Sequence, residues 1–405
     1  MRISQLASSI GESATLKLNE EAARLRALGE PVIHFGAGEP NGAAPSSALQ
    51  GSIAKLNTGE IKYTPTDGTP SLKKAIIGYT EHNYARLVAP ENVIVASGAK
   101  QALFNALFAI LNPQDEVVIP APYWVSYPEM VKMMRGVPVI VESADEGFVP
   151  RMADIEKAVT ARTRAIIMNS PNNPSGAVYP AELIQAVVEF CEKHEIYLIM
   201  DDIYHKLVFD GLRVPNACAY ATQPVDNSCL IIINGVSKLY GMTGFRIGWA
   251  VAARNLVGPM TIAQSQTTSC PSTLSQAGAE AALLGPQDVV DSLRQMIQDN
   301  RDVMVQELSK LDRVKLIKPA GTFYCLPDFS AYNPNSVELS MMLLNRALVV
   351  TVPGQPFGAE GHLRLSCTGT RQEIEEGVRR IKWALDPNSP DEIHIGDHKL
   401  VRDWA

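Results

Sequence analysis

Through the middle of the chain, short runs of apolar, β-branched residues alternate with longer amphipathic stretches, the pattern of a parallel sheet covered by helices on both faces. Strands are expected at 93–96, 116–120, 137–141, 165–169, 197–200, 230–233 and 247–250. The most continuous runs read as strands buried on both faces. Polar residues of chemical interest stand just past most of them, and in open α/β sheets that C-terminal edge is where ligands bind.

At 405 residues the chain exceeds what one core usually organises. The expected class is α/β, with a mostly parallel central sheet flanked by helices and a smaller α+β domain. Residues 1–44 are read as an arm and a helix packing on the small domain. In that helix Ser13 is a candidate N-cap, Leu16, Leu18, Ala22, Ala23 and Leu25 form one side, and Gly29 ends it. The large domain is placed at 45–312. The small one is placed at 313–385, where strands at 322–326 and 363–367 interleave with helices near 337–347 and 371–385. Residues 386–405, DPNSPDEIHIGDHKLVRDWA, are read as a polar tail without a periodic face.

A net charge of −7 argues against nucleic acid or an anionic membrane as the main partner. The six cysteines are scattered without close pairs, so neither a disulfide framework nor a zinc knuckle is indicated, and a reducing cytoplasm suits them. No window approaches the roughly 20 apolar residues of a membrane span, and the first residues lack the apolar run of a secretory signal. No metal site is expected.

Six stretches carry chemistry. NGVSKLYGMTGFRIGWA (234–250) follows a strand and sets Lys238 and Arg246 among glycines, which permit close backbone approach to a ligand. Strand-end lysines are ordinarily solvated. Here, however, Arg246 can pair bidentately with a phosphate while Lys238 reaches a reacting carbon. SPNNPSGAVYP (170–180) holds Asn173 beside prolines, which in isolation is a turn. In IYLIMDDIYHKLVF (196–209), Asp201 ends an apolar strand with Tyr204 three residues on. A carboxylate there requires a partner, whether an N-cap, a salt bridge or a pyridinium nitrogen.

VIVASGAKQALFNALFAIL (93–111) is a strand, a small-residue turn and a helix whose first N–H groups, at Ala99 and Lys100, form an anion cradle. It is not a Walker sequence. Trp124 in APYWVSYPEM offers a flat face for stacking, although a core role is the commoner use of tryptophan. Arg364 in HLRLSCTG (362–369) lies in an apolar strand and needs a carboxylate, from protein or substrate.

Together these stretches resemble the class I aminotransferases of fold type I, which depend on pyridoxal phosphate (PLP). The likeness spans GAGEP at 36–40 to the Arg364 strand. KQALFN, PYWVSYPEM, SPNNPSGAVYP, MTGFRIG and SQTTS read most like the bacterial aspartate aminotransferases of subgroup Iγ. The resemblance implies that Lys238 carries the cofactor as a Schiff base and then shuttles the substrate α-proton. Asp201 would keep the pyridine nitrogen protonated, Tyr204 and Asn173 would hydrogen-bond the phenolic oxygen, and Trp124 would stack on the ring. Arg246, Ser237 and the backbone at Ala99 and Lys100 would hold the phosphate, with Tyr63 of KYTPTDG reaching in from a second subunit of a homodimer. Arg364 would clamp the substrate α-carboxylate, with Asn173, Trp124 and the Gly38 backbone around it. Two half-reactions with ping-pong kinetics follow.

The SQTTSCPS segment (265–272) lacks the arginine with which other branches read a dicarboxylate. Lys100, with Ser13, Thr15 and the hydroxyls of the TTS run, is implied in its place, making aspartate and glutamate the first expected donors, exchanging with 2-oxo acids. Three departures stand out. GEPNGAAP lacks the longer acidic segment usual there, so the lid over the substrate is expected to differ. Gly11 stands where relatives acting on prephenate carry lysine, which speaks against that activity. Gly235 replaces a phosphate-binding serine of some relatives. The rival readings are an aromatic or sulfur amino-acid aminotransferase, a lyase of the same fold, and a PLP-binding regulator, for which no DNA-binding segment or basic patch exists.

Overall fold

The computed structural model describes residues 3–11, 14–143 and 147–402, without the side chains of residues 9 and 14–17. The chain begins with helices Gln5–Ser9, unforeseen within the arm, and Ala14–Ala27, followed by β1 (Ile33–His34). Ser13 lies outside the described residues, and so does the Thr15 side chain.

Seven strands build the central sheet: β2 (Val93–Ala96), β3 (Glu116–Pro120), β4 (Val137–Val141), β5 (Thr163–Met168), β6 (Tyr197–Asp201), β7 (Leu230–Gly235) and β8 (Gly248–Val251). Their order is β2-β8-β7-β6-β5-β3-β4. All neighbours are parallel except β8, which runs antiparallel to both β2 and β7. The two-residue period of a strand sends alternate side chains to opposite faces. Val93, Val95, Ile166, Met168, Leu198, Met200, Leu230 and Ile232 accordingly enter one core. Ile94, Ala96, Ala165, Ile167, Ile199, Ile231 and Ile233 enter the other. Helices Ala99–Ile110 and Arg254–Thr267 cover that second face, and Pro70–Tyr84 and Ala181–His194 the first.

A third core joins Met304 and Leu308 at the end of the long helix Asp288–Leu308 to the C-terminal part of the chain. There β9 (Tyr324–Cys325), β11 (Val352–Pro353) and β12 (Leu363–Ser366) form an antiparallel sheet in the order β11-β12-β9, while β10 (Val349–Val350) pairs in parallel with β1. Helix Arg371–Leu385 is opened by a Thr370–Glu373 capping box and buries Ile374, Val378 and Ile381. Leu18 and Ala22 of the second helix pack with Val32, Leu344, Leu348 and Val350.

Residues read as a polar tail instead form a hairpin, β13 (Glu392–Ile395) and β14 (His398–Val401). Its two-residue connection has Gly396 at φ 56°, a turn that glycine makes without strain. Ile393 and Leu400 pack on the third core, and Trp383 Nε1 donates to Pro390 O at 2.8 Å. Four-residue strands with two apolar side chains each give too short a period to recognise.

Candidate active site

The C-terminal ends of the parallel strands open into a cavity of about 1400 Å³. Small-molecule sites usually occupy about 300–1,000 Å³, so the space suits a cofactor and a substrate together. Lys238, Asp201, Tyr204, Asn173, Trp124, Ser237, Arg246, Ala99, Lys100, Gly38 and Arg364 all line it. Most arrive by a strand-end route: β2 leads to Ala99 and Lys100, β3 to Trp124, β5 to Asn173, β6 to Asp201 and Tyr204, and β7 to Ser237 and Lys238, while Gly38 follows β1, Arg246 precedes β8 and Arg364 lies within β12. Tyr63 does not join them; it is 89% exposed on the same chain. The TTS run at 267–269 also lies apart, with Thr268 Oγ1 accepting from Gln101 Nε2.

Lys238 Nζ donates to Gly38 O at 2.5 Å. Burial, followed by the charge of Arg364, lowers its pKa to about 8, against an opposing pull from Glu39. The amine is thus poised to be neutral in mildly alkaline solution. The loop that supplies Gly38 is pinned twice more, by Thr243 Oγ1 donating to Glu39 and by Asn41 Nδ2 donating to Thr368 O at 2.6 Å.

Asp201 is buried, and Tyr127 Oη donates to its Oδ2 at 2.6 Å. Burial raises its pKa, while the Tyr127 bond, the Ile203 N–H and the Lys238 charge pull it down. A carboxyl so placed fits a cationic neighbour, whose charge would offset the burial. Asn169 ties two strand ends together, donating from Nδ2 to Asp201 O and accepting from Asn173 N, both at 2.8 Å. Tyr204 is buried against Tyr324 and Phe323, and burial, reinforced by Tyr324, holds its phenol well above the ordinary range.

Arg246 donates from Nη1 to Thr243 O at 3.0 Å and lies beside Gly98, whose φ is 97°. A Cβ at Gly98 would stand 2.5 Å from Arg246 Nη2, so only glycine admits the guanidinium beside the helix start. The first N–H groups of helix Ala99–Ile110 have no acceptor inside the helix. With Ser237 and Arg246 they make a cradle for a phosphate-sized anion. A Cβ at Gly235 would meet Ile247 O at 2.9 Å and Gly248 Cα at 3.0 Å, which explains why no serine stands there. Lys100 Nζ sits 4.7 Å from the centre of the Trp124 ring, and burial and Arg246 lower its pKa.

Arg364 is buried between the rings of Tyr324, 4.3 Å away, and Phe357, 5.0 Å away. Nη1 donates to Asn173 Oδ1 at 3.2 Å and Nη2 to Gly36 O at 3.4 Å, while Nε has no partner. No protein carboxylate is paired with it among the described residues, so an anion from solution is the group it can still accept.

Tyr127, Tyr324, Asn169 and Glu39 were not foreseen. Tyr127 stands three residues after Trp124, one helical turn on, and Asn169 directly follows β5, so spacing offered a clue for those two alone. Among the described residues no helix is long and apolar enough to cross a membrane.

The family model for class I and II aminotransferases matches residues 30–381. The aspartate aminotransferase of Rhizobium meliloti is 39% identical over 391 residues, covering 94% of this chain and 95% of that one. That of Geobacillus stearothermophilus is 38% identical over 387 residues, covering 94% and 98%. The crystal structure of the Rhizobium meliloti aspartate aminotransferase superposes with a TM-score of 0.90 at 37% identity, covering 95% of this chain and 99% of that one.

Proposed function

The chain belongs to the class I and II aminotransferase family, and as a PLP-dependent aminotransferase it needs an amino donor, for which we propose aspartate and glutamate. One observation carries this choice. Besides the Lys238 amine and the Arg246 cradle, Arg364 and Lys100 line the cavity without a carboxylate partner among the described residues, one for each carboxylate of a dicarboxylic substrate, whereas Lys132 is paired with Glu129 and Arg26 donates to Val32 O.

The residues fit the cofactor. Ser237, Arg246 and the N–H groups of Ala99 and Lys100 would hold its phosphate, and Trp124 would cover its ring. Asp201 would keep a proton on the ring nitrogen, while Tyr204 and Asn173 would donate to the phenolic oxygen. Lys238 would anchor its aldehyde. The chemistry supplied by the bound cofactor is a carbonyl that takes up an amino group and a ring that accepts the electron pair left at the substrate α-carbon.

The protein's own part is positioning and proton movement. Arg364 binds the α-carboxylate, with Asn173 and Gly38 beside it, and so presents the α-hydrogen to Lys238. Lys238 takes that proton as a neutral amine, a form its lowered pKa favours. Lys100 holds the distal carboxylate. Amino donor and oxo acid occupy the site in turn, so ping-pong kinetics are expected.

Tyr63 would reach the phosphate of a second subunit. Leu49, Ile53, Leu56 and Ile61 are exposed apolar neighbours of Tyr63 in sequence, and a homodimer would cover them. Cytoplasmic residence suits the six free cysteines. An apolar wall of Tyr123, Pro138, Ile140 and Phe357 in the same cavity favours aromatic donors as the second reading.

The test is a panel of amino acids with 2-oxoglutarate or oxaloacetate as acceptor. Aspartate and glutamate should lead phenylalanine, and Lys100→Ala should lower kcat/KM for aspartate about tenfold or more while sparing alanine. Undiminished aspartate activity in Lys100→Ala would overturn the assignment.

A further inference from the structure

Tyr63 projects from a stretch, residues 59–65, that belongs to no helix or strand, and its side chain is 89% exposed. Segments of that kind are ordinarily mobile. Here both chain neighbours of Tyr63 are held by one helix, Thr273–Leu284. Thr273 Oγ1 donates to Lys62 O at 2.7 Å, and Gln276 Nε2 donates to Thr64 Oγ1 at 2.9 Å. The two donors are three residues apart, one turn along the same face of the helix.

Gln276 is wholly buried, and its other bonds go to the same neighbourhood. Nε2 also donates to Pro271 O at 2.9 Å, and Oε1 accepts from Thr69 N at 2.8 Å. Both amide hydrogens and the carbonyl oxygen are thus engaged, which fixes the amide in one orientation. Thr64 N donates to Cys270 Sγ at 3.4 Å, and Gln264 Nε2 donates to Thr66 O at 2.6 Å. The chain on either side of Tyr63 is therefore tied to the segment 264–276, while the phenol itself points out of the subunit.

We propose that Gln276 and Thr273 are positioning residues that hold Tyr63 preset for the phosphate of a second subunit, so that its hydroxyl is presented without first having to be ordered. The inference rests on the role given above to Tyr63.

A double-mutant cycle on the Kd of the apoenzyme for PLP tests it, with Tyr63→Phe, Gln276→Met and the two combined. Tyr63→Phe should raise Kd about tenfold or more, because a hydrogen bond to a charged group is lost. Gln276→Met keeps the length of the side chain and removes its hydrogen bonds; it should raise Kd about three- to tenfold. Added to Tyr63→Phe it should raise Kd by less than about twofold, since a hydroxyl that is absent cannot be misplaced. A glutamine that only stabilises the fold would act equally in both backgrounds, and that outcome overturns the proposal, as does an unchanged Kd in Gln276→Met. Sedimentation velocity should give every variant the wild-type mass, and a lighter Gln276→Met overturns the proposal by showing that the residue holds subunits together instead. Should Gln276→Met not fold, Thr273→Val decides: losing the Lys62 anchor should raise Kd about two- to fivefold with Tyr63 present and leave it unmoved in Tyr63→Phe. The two readings fail separately. An unchanged Kd in Tyr63→Phe overturns the role of Tyr63 and this inference with it, whereas a raised Kd there with an undiminished Gln276→Met factor overturns the assignment of Gln276 and Thr273 alone.

Discussion

Arg364→Lys keeps a positive charge and removes the fork, so it asks whether geometry or charge alone binds the α-carboxylate. The guanidinium is fixed from three directions, by Asn173 Oδ1 at 3.2 Å, Gly36 O at 3.4 Å and the two rings that sandwich it. A bidentate, charge-assisted pair formed in such a buried place contributes about 1.5–3 kcal/mol. A lysine ammonium keeps one contact and neither fits the planar stack nor reaches both oxygens. The expected loss is about 1.5–2.5 kcal/mol, or about ten- to sixtyfold in kcat/KM at 1.4 kcal/mol per factor of ten. Because donor and acceptor each present a carboxylate beside the reacting carbon, the loss should be equal within about threefold for both. Steady-state kinetics with each substrate varied in turn measures it. A loss below about threefold, or one confined to a single substrate, refutes the assignment.

Competitive acetylation of the apoenzyme, followed by mass spectrometry, should give Lys238 a reactivity midpoint near pH 8, and a midpoint above 10 would contradict its placement. The sign follows from burial and Arg364 disfavouring the ammonium. The stability penalty of charging Lys238 is present below pH 8 and is relieved as pH rises from there toward 10.5, its ordinary value. Tyr127→Phe takes the 2.6 Å donor from Asp201, letting its carboxyl pKa rise further. The Kd of the apoenzyme for PLP should increase about five- to twentyfold, and an unchanged Kd would refute the link. Removal of residues 386–405 strips Ile393 and Leu400 from the third core and the Pro390 acceptor from Trp383. Denaturant unfolding should show a loss of about 2–4 kcal/mol with KM unaltered; an unmoved midpoint would mean that the hairpin is not part of that core.

The central strands were legible because burial on both faces demands continuous apolar runs, and none of the seven expected strands was misplaced by more than two residues at either end. The reversed direction of β8 was not legible. Its sequence is as apolar as that of its parallel neighbours, and direction depends on where the chain re-enters the sheet. The arm's first helix, Gln5–Ser9, and the C-terminal hairpin escaped for a different reason: each is short, and it is packing rather than periodicity that decides such segments.

For the site, the same logic divides what could be read from what could not. Lys238, Asp201 and Arg364 were conspicuous because each is a charged side chain in an apolar strand or at its end, where burial requires a reason. Tyr127 and Tyr324 carry no such mark, since a buried tyrosine is ordinary core material until its hydroxyl is located. Tyr127 reaches Asp201 across 74 positions of chain, and Tyr324 reaches Tyr204 across two sheets. Whether either phenol is structural or functional depends on the partner, and the partner is chosen by strand order and register. The charged residues announce that a site exists, and the neutral residues that tune it can be identified only once the sheets have brought them together.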